Sequence, residues 1–499
     1  MCCGRPNRRE FLLAGCAAAL PATPAAAWPD DLWDPERPYR PGGKPLRVEP
    51  VLMYRVPQRR EAASWKSWGG VQSDESAAAE AARIERELKA LAERAPFPLE
   101  IAPVARVSTT DAAAALRQAP DAVRLIYAAT GSGEMLRALM TGEGEAIVFV
   151  RRRSGPVYYW YEALSTRYLR KRGEPRGAGS PPLSVEDVVV DELGELEWRL
   201  RALFAVKNFL AARVVALGGA RGKYAPEAPQ VARERFRLDI VEVGYREFAP
   251  RVRAALADSR KLAQAVRWTE RYLRLPGTKL ETERRFVIHA FLLYGLLREL
   301  LREHEASILT IAGCMGTILP IAQTTACLAL SLLNDEGFLA LCESDFVIIP
   351  ACILLWRIAR APVFLHNSTF PHGGLVTCAH CTAPRRMNGL RYEPARILTH
   401  YESEYGAAPK VEMPVGQRVT FLNPEYATCR WIGMRGLVEG NPFYEICRSQ
   451  QDVRIEGDWR RLLDEVRDSH WAMAYGDWLR EAGYAAPRIG VRWEAISAC

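Results

Sequence analysis

Two hydrophobic patterns alternate along residues 46–175. Short apolar runs, typical of buried strands, are separated by segments whose apolar residues recur every three or four positions, as on one face of a helix. The strand-like runs are LRVEPVLMYRV (46–56), LEIAPVARV (99–107) and AVRLIYAAT (122–130). The helical segments are SAAAEAARIERELKALAERA (76–95) and TDAAAALRQA (110–119). This alternation predicts a parallel sheet with helices on both faces, as an N-terminal α/β domain over 46–175.

A second pattern of the same kind follows GEPRGAGSPPLS (173–184), where Pro, Gly and Ser mark a boundary. Its helical segments are ELEWRLRALFAVKNFLAA (195–212) and a long region at 278–305. Its strand-like runs are RVVALGG (213–219), FRLDIVEVG (236–244) and ASILTIAGC (306–314). We therefore predict a second α/β domain over 176–345.

Short β-like segments separated by Pro, Gly and Asn dominate after residue 346. Examples are PVGQRVTFLNP (414–424) and CRWIGMRGLVEGNPF (429–443), which are typical of strands joined by turns. We predict a C-terminal, mostly β domain over 346–499, with a terminal helical segment. The predicted fold class is α/β: two Rossmann-like α/β domains followed by a mostly β C-terminal domain.

The N-terminus has the features of an export signal. NRREFLLAGCAAALPATPAAAW (7–28) has paired arginines, an Ala-rich apolar stretch and a small-residue cleavage site before Trp28. This order predicts a twin-arginine (Tat) signal peptide over 1–27, so the Tat translocase would carry the folded protein to the periplasm. A lipoprotein-like LAGC box (13–16) leaves only a short apolar region after the arginines, which favours cleavage after Ala27. Residues 28–45 are Pro-rich and predict a linker.

Composition and charge exclude some classes of protein. The 499 residues are 49% hydrophobic and 25% charged, an ordinary globular composition, and the net charge of +8 is modest for this length. The sharpest basic stretch, 151–176, is interpreted as a solvated face, and no nucleic-acid partner is predicted. No apolar run reaches the ~18 residues of a spanning helix, so no transmembrane segment is expected in the mature chain.

Two carboxylates stand out inside the apolar run LALCESDFVII (339–349). If this run is a strand, Glu343 and Asp345 share one face, where two like charges repel unless a cation compensates them. Five of the seven histidines fall in the following part of the chain: His366, His372, His380, His400 and His470. Carboxylate and imidazole together suit Mn²⁺, Fe²⁺, Co²⁺ or Zn²⁺. The spacing alone equally allows two solvent-facing carboxylates and scattered surface histidines.

The segment TCAHCTAP (377–384) contains a C-x-x-C pair, Cys378 and Cys381. A zinc site needs a second pair of ligands at comparable spacing, and Cys429 and Cys447 are isolated from each other. The surrounding β-like pattern and Pro384 argue against a redox motif that opens a helix. We therefore predict no metal or redox role for the cysteines and keep His380 as a candidate site residue.

Several motifs together resemble the L-fucose and L-arabinose isomerase superfamily, most closely its fucose-isomerase-like branch. The central match is CMGTILPIAQTTACLALSLLNDEGFLALCESDF (314–346). The match continues through APVFLHN (361–367), CAHCTAP (378–384), ILTHYESEYGAAPKVEMPVGQRVTFL (397–422), GNPFYEICRSQQDVRI (440–455) and SHWAMAYGD (469–477). The resemblance is specific over 310–478 and looser from residue 46 to that point, where LIYAATGSGEMLRAL (125–139) resembles a first-domain Gly loop.

The resemblance implies an enzyme that interconverts an aldose and a ketose through an ene-diol on a divalent metal, most often Mn²⁺. It implies Glu343 and His470 as metal ligands and places His380 near the metal. The third ligand position of the family, an Asp, corresponds to Asn367 here. The partner implied is a small-molecule sugar, with His366 and His400 as candidate binding residues. The resemblance also implies a homo-oligomer, a trimer or hexamer.

Asn367 changes the chemistry that the resemblance implies. Ene-diol isomerisation needs a general base and acid to move a proton between two carbons, and a carboxamide can coordinate metal but cannot take a proton. Asp345, His366 or His380 could replace the missing group, so the predicted catalytic set is Glu343, Asp345 and His380. The alternative is a non-catalytic periplasmic carbohydrate-binding or accessory protein on the same fold.

Overall fold

The computed structural model describes residues 28–140, 144–158, 165, 167–172, 174, 181–425, 429–465 and 468–498. The predicted signal peptide and the predicted domain boundary at 175 lie outside the described residues. Within them the fold is mixed α/β, with two larger parallel sheets and a closed β-barrel. This much of the predicted fold class is confirmed, whereas the division into three domains stays a prediction.

The first sheet is built from residues 46–190. The elements of this region are β1 (Leu46–Met53), α1 (Asp74–Arg94), β2 (Leu99–Ile101), β3 (Ala105–Val107), α2 (Thr110–Ala115), β4 (Ala122–Ala128), α3 (Gly133–Met140), β5 (Glu145–Val150), β6 (Leu169–Arg170), β7 (Leu183–Ser184) and β8 (Val188–Val190), of which β6 and β7 pair with each other in a separate two-stranded sheet. The strand order is β2-β1-β4-β5-β8, β3 also pairs with β1, and every pairing is parallel. The last strand, β8, lies beyond residue 175, where the sequence predicts the end of the first domain. It was not predicted, since a three-residue strand is too short to show a periodicity.

Local sequence explains where α1 begins. The Ser73 hydroxyl accepts a hydrogen bond from the Ser76 backbone N–H at 3.1 Å, and the Ser76 hydroxyl accepts one from the Ser73 N–H at 3.0 Å. These two bonds satisfy N–H groups that a helix start leaves without partners. From there Ala77, Ile84 and Leu88 are buried on one face, which is the helical spacing that the sequence predicts.

The second sheet is built from residues 193–359. The elements of this region are α4 (Leu193–Phe209), β9 (Arg213–Leu217), α5 (Ala228–Arg235), β10 (Asp239–Val243), α6 (Tyr245–Ala257), α7 (Ser259–Leu273), β11 (Thr278–Leu280), α8 (Arg284–Glu303), β12 (Ile308–Ile311), α9 (Leu319–Ala322), α10 (Cys327–Glu336), β13 (Leu339–Cys342) and α11 (Ile349–Ala359), of which β11 is not part of this sheet. The sheet order is β10-β9-β12-β13, all parallel. The region 278–305 is not one long helix, because β11 precedes α8.

The remaining elements form the barrel and its attachments. They are β14 (Phe364–Ser368), β15 (Leu375–His380), β16 (Ala395–Leu398), β17 (Ala408–Val411), β18 (Arg418–Pro424), β19 (Arg430–Gly440), β20 (Ser449–Glu456), α12 (Arg461–Glu465), β21 (His470–Tyr475), α13 (Leu479–Ala485) and β22 (Arg492–Ala495). Antiparallel pairing runs β18-β21-β14-β15-β20-β19 and returns to β18, so six strands close a ring. β22 adds to β19 from outside the ring, and β11, β16 and β17 make a separate small sheet.

The stretch predicted as a linker, 28–45, is packed against the second sheet's helices. Trp33 is fully buried, with its ring 4.9 Å from that of Phe291 in α8. Trp28 stacks on Trp268 of α7 at 5.9 Å. Because large aromatic rings bury much apolar surface, these contacts attach residues 28–45 to the core. The proline content of this stretch did not predict such packing.

No single helix in the described ranges is both long and apolar enough to cross a membrane. Two consecutive segments, Cys314–Ala322 and Cys327–Glu336, pass that test together by length and composition, with a bend of 92° between them. Nine of the ten residues of α10, the second of these segments, are buried in the fold, as in a core helix of a folded protein.

Arg151 departs from the solvated face predicted for the basic stretch 151–176. Its side chain is 1% exposed and lies against α1, where Nε donates to Glu80 at 2.6 Å and Nη2 donates to Glu87 at 2.6 Å. The Tyr158 hydroxyl donates to the same Glu80 oxygen at 2.5 Å. A buried carboxylate requires such partners, because removing one leaves an uncompensated charge in the interior.

Replacing Arg151 with Met should lower the free energy of unfolding by about 3–5 kcal/mol, the usual cost of breaking a buried ion pair on one side. The measurement is urea unfolding followed by far-UV circular dichroism. Arg152→Met is the matched control, because the neighbouring side chain is exposed. Equal midpoints for the two variants would contradict the structural role assigned to Arg151.

Candidate metal centre

The predicted strand at 339–349 ends at Cys342, and a tight turn follows. Glu343 and Ser344 both have positive φ, 67° and 53°, a left-handed conformation that costs non-glycine residues roughly 1–2 kcal/mol each. The turn is held from the opposite loop: the Arg221 N–H donates to the Ser344 carbonyl at 3.1 Å, and the Phe346 N–H donates to the Arg221 carbonyl at 2.8 Å. The prediction that Glu343 and Asp345 share a strand face is therefore wrong. Both lie in a turn, and their side chains approach different nitrogens of the same ring, that of His470.

Asp345 is compensated by hydrogen bonds on both oxygens. It is 1% exposed, and Oδ1 accepts from the backbone N–H groups of Lys223 at 2.9 Å and Val347 at 3.1 Å. Oδ2 lies 2.7 Å from Nδ1 of His470. These partners satisfy the hydrogen-bonding capacity of the buried carboxylate without a directly bound cation.

His470 is the first residue of β21 and is fully buried. Because the Asp345 carboxylate accepts at Nδ1, that nitrogen carries the proton and Nε2 keeps its lone pair. Nε2 lies 3.4 Å from Oε2 of Glu343. This carboxylate–histidine arrangement is the one that orients imidazole ligands in metal sites.

His380 ends β15 and faces the same point. Its Nε2 lies 3.5 Å from Oε1 of Glu343, and its Nδ1 lies 3.1 Å from the Thr382 hydroxyl. Donor atoms of Glu343, His380 and His470 all lie within 4.8 Å of one another. This cluster could hold a metal ion, and its ligand types, one carboxylate and two imidazoles, are those of first-row divalent ions.

Glu343 is the solvent-facing member of the cluster, with its side chain 42% exposed. The hydrogen bond to His380 lowers the pKa of Glu343 to about 2, against the raising effect of burial, and the charge of Lys223 lowers it further. The carboxylate is thus ionised at neutral pH, as a metal ligand must be. Its exposure leaves one side of the cluster open to a small molecule.

Lys223 is a site residue that the sequence analysis missed. Its Nζ lies 3.3 Å from Nε2 of His470 and 3.9 Å from Oε2 of Glu343. It follows a turn at Gly218, where φ is 84° and a Cβ would lie 2.8 Å from the Ala312 carbonyl oxygen, so only glycine fits. The available signal was position: residues after β9 and β13 meet at the carboxyl edge of a parallel sheet, where ligands bind.

The other predicted site residues lie in three different places. Asn367 is half-buried and stands directly opposite His470 in the β14–β21 register, so the two side chains share one face of the barrel wall. His366 is on the other face, inside the barrel, 5.5 Å from the Phe421 ring, and burial lowers its pKa to about 3. His400 lies with Cys327 and Cys381 in a separate cluster.

Comparisons with known proteins do not identify a family for this chain. No protein-family model matches the chain, and no curated protein matches it. The resemblance to the fucose-isomerase-like branch therefore stays a prediction from the motifs of this sequence.

Asp345→Asn should weaken metal binding about 10–100-fold, the usual effect of losing the partner that orients an imidazole ligand. The carboxamide can donate to Nδ1, which would move the ring proton to Nε2 and remove the lone pair. The measurement is a competition titration with a fluorescent chelator. Asp452→Asn is the control, since Asp452 accepts a hydrogen bond from Thr377 at 2.6 Å elsewhere on the barrel. An unchanged affinity in Asp345→Asn would overturn the orienting role.

Proposed function

We propose that this protein is a metal-dependent sugar isomerase, interconverting an aldose and a ketose through an ene-diol. The observation that carries the proposal is the cluster of Glu343, His380 and His470, with Asp345 fixing the imidazole of His470. The resemblance of the surrounding motifs to fucose-isomerase-like enzymes names the reaction class. Three donors and an open side fit an enzyme better than a closed structural site, which fills all positions with protein ligands.

The donor set fits the implied metal. Glu343 supplies an ionised oxygen, and the two imidazoles supply nitrogens held by neighbouring groups. We propose Mn²⁺, because the exposed side of the cluster leaves room for water and sugar oxygens, the hard donors that this ion accepts. When bound, the metal would polarise the carbonyl and hydroxyl oxygens of the sugar.

The proton transfer needs a group other than the metal ligands. Asp345 has both oxygens occupied by hydrogen bonds, and His366 is buried inside the barrel with its pKa lowered to about 3. Glu343 is a weak base because its pKa is about 2. We therefore propose Lys223, whose ammonium group lies beside the cluster, as the general acid that gives a proton to the sugar oxygen, the acid part of the role that a carboxylate at Asn367 would share.

One observation favours a second candidate, a non-catalytic carbohydrate-binding protein. Asn367 next to His470 gives the site one negative charge fewer than a Glu/Asp/His set. Such a site could keep the shape that binds a sugar and lose turnover. Saturable sugar binding to the metal-loaded protein, with no ketose formed from any aldose tested, would favour this candidate.

Location and assembly are proposed on the sequence alone. The paired arginines and the Ala-rich stretch of residues 1–27 support export to the periplasm through the Tat translocase. A protein folded before export would carry its metal with it, since folding and metal binding are linked. The family resemblance supports a homo-oligomer.

Metal content tests the proposed centre. The purified protein, incubated with Mn²⁺ and desalted, should hold Mn close to one equivalent by elemental mass spectrometry. Glu343→Gln and His470→Ala should both lose it, because each removes one of three ligands. The parent should convert at least one aldose in a panel to its ketose. A parent that binds no Mn, Fe or Co would overturn the proposal.

Lys223→Met tests the proton-transfer role. We expect kcat to fall about 10²–10⁴-fold, the range that general acid–base groups contribute. Metal affinity should hold or rise, because a cation leaves the neighbourhood of the site. Lys279→Met, at an exposed position of β11, is the control. A rise in KM with kcat unchanged would instead make Lys223 a sugar-binding residue.

A further inference from the structure

Three cysteines and a histidine from distant parts of the chain meet beside the proposed isomerase site. Cys327 is the first residue of α10, Cys381 directly follows β15, His400 follows β16, and Cys447 precedes β20. Sulfurs of Cys327 and Cys381 and a ring nitrogen of His400 lie within 4.8 Å of one another. The partly buried Cys447 packs against the group formed by Cys327 and Cys381.

His400 supplies an independent sign of a ligand. It is 7% exposed, and its Nδ1 is buried with no hydrogen-bond partner. A buried polar atom is normally paired, and an unpaired one calls for an explanation such as an ion. Cys327 and Cys381 are 3% and 2% exposed, so water does not readily reach this group of donors.

We propose that Cys327, Cys381, Cys447 and His400 bind one Zn²⁺ ion. Three thiolates and one imidazole are an established donor set for closed, four-coordinate zinc sites, and thiolate-rich sites select zinc over the hard divalent ions. On binding, each thiol loses its proton to solvent and each sulfur forms one bond to zinc, with no change of oxidation state. This proposal does not rest on the isomerase function.

Arg448 ties this four-residue cluster together from outside. Its backbone N–H donates to the Cys381 sulfur at 3.4 Å. Its guanidinium donates to the carbonyl of Thr399 at 2.7 Å and to the Thr399 hydroxyl at 3.2 Å, which holds the residue before His400. Since Arg448 also follows Cys447 in the chain, one residue positions three of the four donors. Partners of this kind orient ligands in metal sites.

The sequence analysis predicts no metal role for the cysteines, because the C-x-x-C has no second pair of ligands at comparable spacing. Cys378 and Cys381 form the C-x-x-C, but Cys378 is fully buried among barrel residues such as Val376 and Phe421. Only Cys381, at the end of β15, reaches the cluster. Its neighbour His380 belongs to the proposed isomerase centre, so zinc at Cys381 would fix the backbone that presents His380.

The direct test is zinc X-ray absorption spectroscopy on the full-length protein, loaded with Zn²⁺ alone and desalted. We expect Zn–S distances of about 2.3 Å. The Glu343→Gln, His470→Ala double variant should give the same sulfur signal, which separates this site from the isomerase centre. A spectrum with only nitrogen and oxygen neighbours would overturn the proposal whatever the fate of the isomerase function.

Two variants and a thiol count complete the test. Cys447→Ser should lose the sulfur-bound zinc or bind it more weakly, whereas Cys429→Ser, another half-buried cysteine that lies outside the cluster, should match the parent. If Cys447→Ser does not fold, the spectrum of the parent still decides. Thiols counted in denaturant without reductant should all be free once zinc is removed. A disulfide that links Cys327 or Cys447 to Cys381 would overturn the proposal.

Discussion

The hydrogen bond between Asp345 and His470 connects the two halves of the candidate metal centre. Asp345 follows the carboxyl edge of the second parallel sheet, and His470 begins a barrel strand 125 residues later. A buried carboxylate away from its donors would cost several kcal/mol, so the sheet and the barrel are held in the one relative position that satisfies it. The orientation of the imidazole, and with it the geometry of Glu343 and His380, depends on that position.

The two candidate metal sites each combine residues from the region of the second sheet with residues from the barrel region, but their surroundings differ. Glu343 and Lys223 come from loops at the edge of a parallel sheet, where Glu343 leaves one side exposed. Cys327 and Cys381 come from a helix start and a strand end, with buried surroundings. An open set of oxygen and nitrogen donors suits exchange of small molecules, and a closed set of sulfurs suits a permanent structural ion.

Much of the fold was readable from the sequence, because strands buried between helices leave continuous apolar runs such as 122–130. The carboxylates and histidines could be recognised as candidate site residues, because ionisable side chains stand out beside apolar runs. The turn at Glu343 could not be predicted, since neither Glu nor Ser indicates a left-handed backbone conformation. Lys223 and Cys447 could not be predicted either, because their roles depend on contacts across more than 60 residues of chain and neither forms a local motif.

The closed ring of the barrel has a consequence for how this protein can vary. In an open sheet an edge strand can shift register alone, whereas in a ring every strand has two neighbours and a shift must be accommodated all the way round. His380 and His470 lie at strand ends of such a ring. Insertions in the turns between strands can therefore accumulate among descendants of this chain, while a single inserted residue inside β15 or β21 would turn an imidazole from one face of the wall to the other.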